Sequence, residues 1–396
     1  MNRRETTPSA FRDVLLREWE RMTSRRLYFG VCVVLPLFVL FFMATIFHKG
    51  TIEQVPVAVV DLDHTATSRQ VARNIAAVPT VKVTRVSDNE YEARRAMQAK
   101  EIYGYVVLPP KFEEDATSGR GATVSYYYQP TFLSVGNEIL AGLTEALTPV
   151  ALSPVALQAV AAGGLTEEQA ETFLLPIQGS DHPVYNPSLD YTIYLGHPFF
   201  YVLFQILILL TTMYTVGGEL KFHTADHWLL TARGNMATAL LAKLLPYTVI
   251  YTIIAVLANF VLFGIVHIPF YGSYLMMNAV TFLFIVATQS LGVFLFCLLP
   301  ILSLTMSVGS MVGSLGATLS GVTFPVTSMY TPVYLASFLF PVRHYTLITQ
   351  TMLYFQGGYG YYWRSTAVLC LFPLITLLLL PRLKGAIIRH AYENFG

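Results

Sequence analysis

The sequence predicts an α-helical polytopic membrane protein with six transmembrane helices and an inserted extracytoplasmic α/β domain. Three observations carry that expectation. Hydrophobic residues make up 54% of the 396 and charged residues only 12%, about half the charged share usual in soluble domains. Residues 27–47, "LYFGVCVVLPLFVLFFMATIF", contain no charge, and such a run is long enough to cross a hydrocarbon core of roughly 30 Å. Residues 48–197, by contrast, alternate strand-like and helix-like stretches of ordinary polarity.

In chain order, residues 1–26 form a cytoplasmic N-terminus built on a basic amphipathic helix, "SAFRDVLLREWERMTSR". Phe11, Val14, Leu15 and Trp19 are expected at the lipid headgroups, with Arg12, Arg17 and Arg21 in water. Transmembrane helix 1, residues 27–47, is read as an uncleaved anchor. It is longer than a signal-peptide core and lacks a small-residue cleavage site.

In the 48–197 insert, "VPVAVV", "TVKVTRV", "YGYVVL" and "TVSYYY" read as strands rich in Val and Tyr. Helices are expected at 67–77, opened by a Thr67-x-x-Gln70 capping box, and at 88–100 and 110–117. Alternation of this kind implies a layered α/β domain. A longer helical region follows, with Phe132, Val135, Ile139, Leu143 and Leu147 along one face.

Residues 198–381 hold transmembrane helices 2–6, at about 198–217, 240–265, 274–299, 302–323 and 364–381. They enclose a polar segment at 218–238. A stretch at 324–345, broken by Pro325, Pro332 and Pro341, reads as short re-entrant helices shielded by protein. Residues 382–396 form a tail. Lys and Arg set the orientation. Arg3, Arg4, Arg12, Arg17, Arg21, Arg25 and Arg26 precede the first span, Lys221 and Arg233 follow the second, and Arg382, Lys384 and Arg389 follow the sixth. The 266–273 connection has none, so both termini are expected in the cytoplasm.

Several chemistries are disfavoured. Net charge is +1, which gives no reason to expect nucleic acid. Cys32, Cys297 and Cys370 all lie in apolar runs without a CxxC, so neither a disulfide framework nor a cysteine zinc site is expected. Asp61 and Asp63 in "VPVAVVDLDHT" match the opening of haloacid-dehalogenase-type phosphatases. The downstream acidic pair that would bind Mg²⁺ is missing, so they read as a strand end turning into a helix. His223 and His227 in "HTADH" would share a helical face at metal-ligand spacing, but no third ligand lies nearby. A solvated or partner-facing helix is the expectation there.

The chain has no Gly-Lys dipeptide, hence no Walker A loop. From Leu244 to Val342 it has no Asp, Glu, Lys or Arg, and the spans offer mainly Gln205, Asn259, Asn278 and Gln289. Ion-driven transporters bury ionisable relays, so energy for transport is expected from outside the chain. Gly309, Gly313, Ala317 and Gly321 recur every four residues, a spacing that suits close helix packing inside the subunit or at a dimer interface.

The layout resembles the membrane (permease) subunit of ABC-2-type ABC exporters, in the subgroup with a large extracytoplasmic insert after the first span. The resemblance covers nearly the whole chain. It rests on the basic helix before the first span, "VAVVDLDHTATS" opening the insert, "GGELKFHTADHWLLTARGN", and "FPVTSMYTPVYLASFLFPVRHYTLITQTM". It implies that Glu219 is the acidic start of a coupling segment, with Lys221 through Leu230 as a short helix set on an ATPase. Lys221, His223, Asp226 and Trp228 would stand at that contact. Asp226-His227-Trp228 departs from the plainer Gly-Thr-x-Glu-like run of many members. Reversing Glu219 to Lys is then expected to uncouple ATP hydrolysis from export.

The resemblance further implies a bacterial inner-membrane exporter of lipophilic or amphipathic substrates. It would pair with a second permease copy or paralogue and a separately encoded ABC ATPase. No cofactor is expected on this chain, with ATP and Mg on the partner. Membrane lipid surrounds the spans, and the insert is left two roles, docking a periplasmic adaptor protein or gating the exit. The rival readings are a secondary transporter and a membrane receptor or scaffold.

Overall fold

A computed structural model describes residues 7–46, 54–117, 123–128, 133–151, 190–353 and 359–389. The chain divides into two compact units. One joins Met1–Gly50 to Val184–Gly396 and the other is Thr51–Pro183.

The second unit is built on four strands, β1 (Val55–Asp61), β2 (Val81–Ser87), β3 (Gly104–Leu108) and β4 (Ser125–Tyr128), in the order β2-β1-β3-β4. β1 pairs in parallel with both β2 and β3, and β4 runs antiparallel to β3. Parallel neighbours need crossovers, and the helices α3 (Ala66–Ala77) and α4 (Glu90–Gln98) supply them. β1 is apolar at successive positions because both faces are covered. Val55, Val57 and Val59 meet Val71 and Ile75 of α3, together with Ile139 and Leu143 of α6 (Leu133–Ala151). Ala58 and Val60 meet Ala93 and Ala96 of α4 on the other face. Between β3 and β4 lies the short α5 (Phe112–Thr117). Phe132 and the region 152–189 lie outside the described residues, as do the side chains of Val135 and Leu147.

The Asp-x-Asp pair closes β1. Asp61 is 5% exposed. Its Oδ1 accepts the backbone N–H groups of Asp63 (3.1 Å) and His64 (3.0 Å), and its Oδ2 accepts Ser68 Oγ (2.9 Å). Asp63 Oδ2 accepts Thr65 Oγ1 at 2.7 Å and the Glu113 N–H at 3.0 Å. Burial pushes the Asp63 carboxyl up, but these hydrogen bonds outweigh it and hold the group below the usual carboxylate range. The capping box differs from the expected Thr67/Gln70 pair. Thr65 and Ser68 form it, because α3 begins at Ala66 and Thr67 already lies inside the helix.

Among the described residues, the first unit holds α1 (Thr7–Ser24) and six helices long and apolar enough to cross a membrane. These are α2 (Arg26–Ile46), α7 (Thr192–Lys221), α9 (Met236–Ile265), α10 (Tyr274–Leu298), α11 (Leu302–Leu319) and α14 (Trp363–Ile388). A seventh piece, α8 (Ala225–Thr231), lies between α7 and α9. The proline-broken stretch forms two short helices. Pro332 sits in the first turn of α12 (Thr331–Ser337) and Pro341 opens α13 (Pro341–Leu353), where a missing N–H costs nothing. Pro325 precedes a single 3₁₀ turn.

Two of the four small residues pack on a helix of the same chain. A Cβ on Gly309 would run into Met213 Sδ, and one on Gly313 would meet Ile206 Cγ1 at 3.0 Å, both side chains of α7. Ala317 is partly buried against the same core, while Gly321 lies beyond the helix end with φ +85°. The four amides of the spans also face other helices. Asn259 accepts Tyr201 Oη at 2.6 Å and donates to Asn278 at 2.9 Å. Gln289 accepts Thr248 Oγ1 at 2.8 Å, and Gln205 accepts the Val342 N–H at 2.8 Å. In lipid such bonds hold helices together.

Two glycines should respond oppositely to a side chain. Gly217→Val drives atoms into Phe296 and Leu302, each only 2.7 Å from where a Cβ would stand, and should cost about 1–3 kcal/mol. Gly385→Ala meets nothing within 4 Å inside α14 and should gain up to about 1 kcal/mol. Thermal unfolding midpoints in detergent read both, and a stable Gly217→Val protein would contradict the close packing of α7 on α10 and α11.

Candidate functional site

The segment between α7 and α9 is shaped by two left-handed residues other than glycine. His223 (φ +54°) ends α7: its N–H bonds Leu220 O at 3.1 Å and the Thr224 N–H bonds Glu219 O at 2.9 Å. Arg233 (φ +54°) repeats the pattern after α8, with its N–H on Leu230 O at 2.8 Å and the Gly234 N–H on Leu229 O at 2.9 Å. Both are Schellman endings, which satisfy the last carbonyls of a helix and turn the chain sharply. Lys221 consequently belongs to α7, and the separate helix is only Ala225–Thr231. His223 and His227 do not share a helical face, because His223 occupies the turn. Among the described residues, no group of three or more His, Cys, Asp or Glu could hold a metal ion.

Glu219 closes the last turn of α7 with its side chain fully buried. Arg17 grips it bidentately, Nη1 to Oε1 at 3.0 Å and Nη2 to Oε2 at 2.8 Å. Arg21 Nη1 also donates to Oε1, and Lys243 Nζ of α9 donates there at 2.7 Å. Thr224 Oγ1 donates to Oε2. Lys243, itself fully buried, also donates to Glu18 of α1, whose other oxygen accepts Tyr247 Oη at 2.8 Å. Three cations therefore meet two carboxylates across α1, α7 and α9. Burial pushes the Arg21 guanidinium down, but Glu219 and the nearby Tyr28, Glu18 and Tyr247 outweigh it and raise its affinity for the proton. Gly218 leaves room for this: a Cβ there would lie 3.0 Å from Arg21 Nη2.

An apolar core continues the clamp. Trp228 of α8 is fully buried, donates from Nε1 to Ala239 O at 3.2 Å, and lies under Lys243 Nζ, 5.2 Å from its ring centre. Val14, Leu220, Leu229, Met236, Phe296 and Leu383 complete that cluster. Lys384 of α14 donates to Gly234 O at 2.6 Å, so the sixth span holds the far end of the segment.

Glu219 and Trp228 thus lie inside the chain, whereas Lys221, His223 and Asp226 stand on its surface with Phe222, His227 and Leu230. The amphipathic helix also differs from its expected facing. Its buried stripe is Ala10, Val14, Glu18 and Met22, and Trp19 and Leu16 are exposed. Arg17 and Arg21 turn inward to a carboxylate instead of standing in water, and only Arg12 of the three faces solvent. Sequence reasoning missed Glu18, Lys243 and Tyr247. The available signal was Glu18, an acid standing at i+4 from Val14 and i−4 from Met22 in an otherwise apolar stripe.

Six membrane-length helices among the described residues, with a polar segment clamped to an N-terminal helix, define a multi-pass membrane protein. The description "ABC-2 family transporter protein" matches residues 26–380, and the chain belongs to that family of ABC-type permeases. Membership implies an ABC ATPase partner in general terms. No curated protein is significantly similar to the chain.

The clamp predicts strong, non-additive mutational effects. Lys243→Met should cost about 3–5 kcal/mol, because it leaves buried carboxylates short of a cation. Adding Glu18→Gln should recover part of that loss, since one stranded charge is then removed. Glu219→Lys, which would gather four cations around one carboxylate, should prevent a folded subunit from accumulating instead of cleanly uncoupling it. Unfolding midpoints of the single and double variants in detergent test this, and strict additivity would show that the pair is not coupled.

Proposed function

We propose that the chain is the permease subunit of an ATP-driven exporter that moves a lipophilic or amphipathic substrate outward. A separately encoded ABC ATPase powers it, and a second permease copy or paralogue completes the membrane channel. Both termini face the cytoplasm, the Thr51–Pro183 unit stands on the outer side, and α12 and α13 form the re-entrant segment. The membrane is a bacterial inner membrane. ATP and Mg stay on the partner.

The observation that carries this reading is the contrast between the two sides of the 219–234 segment. Its inner side is welded to α1, α9 and α14 through Glu219, Trp228 and Gly234. Its outer side presents Lys221, Phe222, His223, Asp226, His227 and Leu230, and Leu230 is 75% exposed on the end of α8. That ledge suits an ATPase surface, and the buried clamp suits transmission of its movement into the spans. A secondary transporter fits less well, because the chain belongs to a family of ABC-type permeases.

Leu230→Asp tests the assignment. Its side chain is exposed, so the unfolding midpoint should stay within about 0.5 kcal/mol of the parent. Affinity for the ATPase should fall at least tenfold, the equivalent of about 1.4 kcal/mol, with export falling in parallel. Unchanged co-purification and export would remove the ledge from the ATPase interface.

A further inference from the structure

At the Arg26 end of α2 the wall of the bundle opens into a cavity of about 450 Å³. That volume lies within the range of about 300–1,000 Å³ typical of ligand sites. Met22, Tyr28, Cys32, Val33 and Ile250 line it, and Arg26 stands at its rim. No acidic residue is among the lining residues. Two features mark it as more than a packing gap. Tyr28 is 2% exposed, yet its buried hydroxyl has no hydrogen-bond partner. The wall that carries Cys32 and Val33 is a π-helical turn, Gly30–Val34, within an otherwise α-helical span. Such turns concentrate at functional sites; α7 and α9 also carry one each, at Thr192–Gly196 and Val261–Ile265, and the one at Gly30–Val34 lines this cavity.

The arginines on this end of the molecule are not equivalent. Arg17 and Arg21 are consumed by Glu219, and Arg25 stacks over Phe222 with its guanidinium 5.4 Å from the ring centre. Arg26 is exposed, carries no ion pair among the described residues, and is one of the residues that line the cavity. A free cation beside an apolar slot is complementary to a ligand with an anionic head and a hydrocarbon chain.

We infer that this cavity binds an anionic phospholipid, with its headgroup at Arg26 and an acyl chain between Tyr28, Val33 and Ile250. The bilayer supplies this occupant at the right depth, because α2 crosses it beginning at Arg26. A neutral sterol would leave Arg26 unused, and a zwitterionic lipid would bring a cation of its own against it. The site rests on membrane insertion of the family and is independent of the direction of transport.

The test uses the full chain in vesicles of phosphatidylcholine containing a trace of phosphatidylglycerol with a photoactivatable diazirine in its acyl chain. Labelled peptides are mapped by mass spectrometry. Label should concentrate in residues 22–33 and around Ile250, and unlabelled phosphatidylglycerol should compete it away where inorganic phosphate does not. Arg26→Gln should reduce it about fivefold, as expected for one cation at an anionic surface, and Arg26→Lys should retain it. Val33→Trp, which fills the slot, should abolish labelling with an unchanged unfolding midpoint. Label spread evenly over the lipid-facing helices would overturn the inference. So would equal labelling by a phosphatidylcholine probe, competition by inorganic phosphate, or indifference to both Arg26→Gln and Val33→Trp.

Discussion

The carboxylate of Glu219 is the point on which the first unit turns. Burying an ion costs several kcal/mol, and the cost is offset only where geometry and hydrogen bonding are complete. Here Arg17, Arg21, Lys243 and Thr224 all reach the same two oxygens. Glu219 also sits at the carboxyl end of α7, where the helix dipole disfavours an anion. The cations from α1 and α9 therefore compensate both the side chain and the negative end of the helix dipole. What such a cluster contributes is less net stability than fixed relative positions. Sliding α1 along α7 by one turn would strand charges of both signs.

That constraint explains how a short segment can stay rigid while most of one side is open to solvent. Two Schellman endings give α8 its direction, and each uses a residue with a side chain at positive φ, His223 and Arg233. Such positions cost about 1–2 kcal/mol compared with glycine. They are sustained because Trp228 anchors the middle of the segment and Lys384 holds the Gly234 carbonyl. A force applied at Leu230 would thus act on α1, α7, α9 and α14 together. Under the proposed function this is how nucleotide-driven movement would reach most of the bundle through one contact.

How much of this was legible in the sequence depended on the kind of interaction. The spans follow from runs such as 27–47, because about twenty apolar residues in a row have few other uses. The strand VPVAVVD was legible because an unbroken Val-rich run suits a strand covered on both faces, and its terminal Asp61 reads as a turn-former. The facing of α1 was not legible. A row of arginines looks the same on a helical wheel whether it meets water or a carboxylate far along the chain. Lys243 hid for a related reason: at the edge of an apolar run it resembles an ordinary interfacial lysine, and only its contacts with Glu18 and Glu219 show otherwise. The small-residue row was half legible. Spacing shows that some helix approaches Gly309 and Gly313 closely, but only the structure shows that the helix is α7 of the same chain.

The same limit bears on charge and lipid at the start of α2. Counting Lys and Arg treats the arginines before the first span as one basic patch facing the membrane. The structure divides them by task. Arg17 and Arg21 build the clamp, Arg25 lies on Phe222, and Arg26 is left over an apolar slot. The break at Arg25, where the backbone is extended between α1 and α2, is what separates these tasks. Arg17 and Arg21 lie ahead of that break, on the helix that packs against α9, and Arg26 begins the span beyond it. The share of the clamp that α1 supplies is thus complete before the interruption, whereas the cavity is lined from both sides of it, by Met22 ahead and by Tyr28, Cys32 and Val33 beyond.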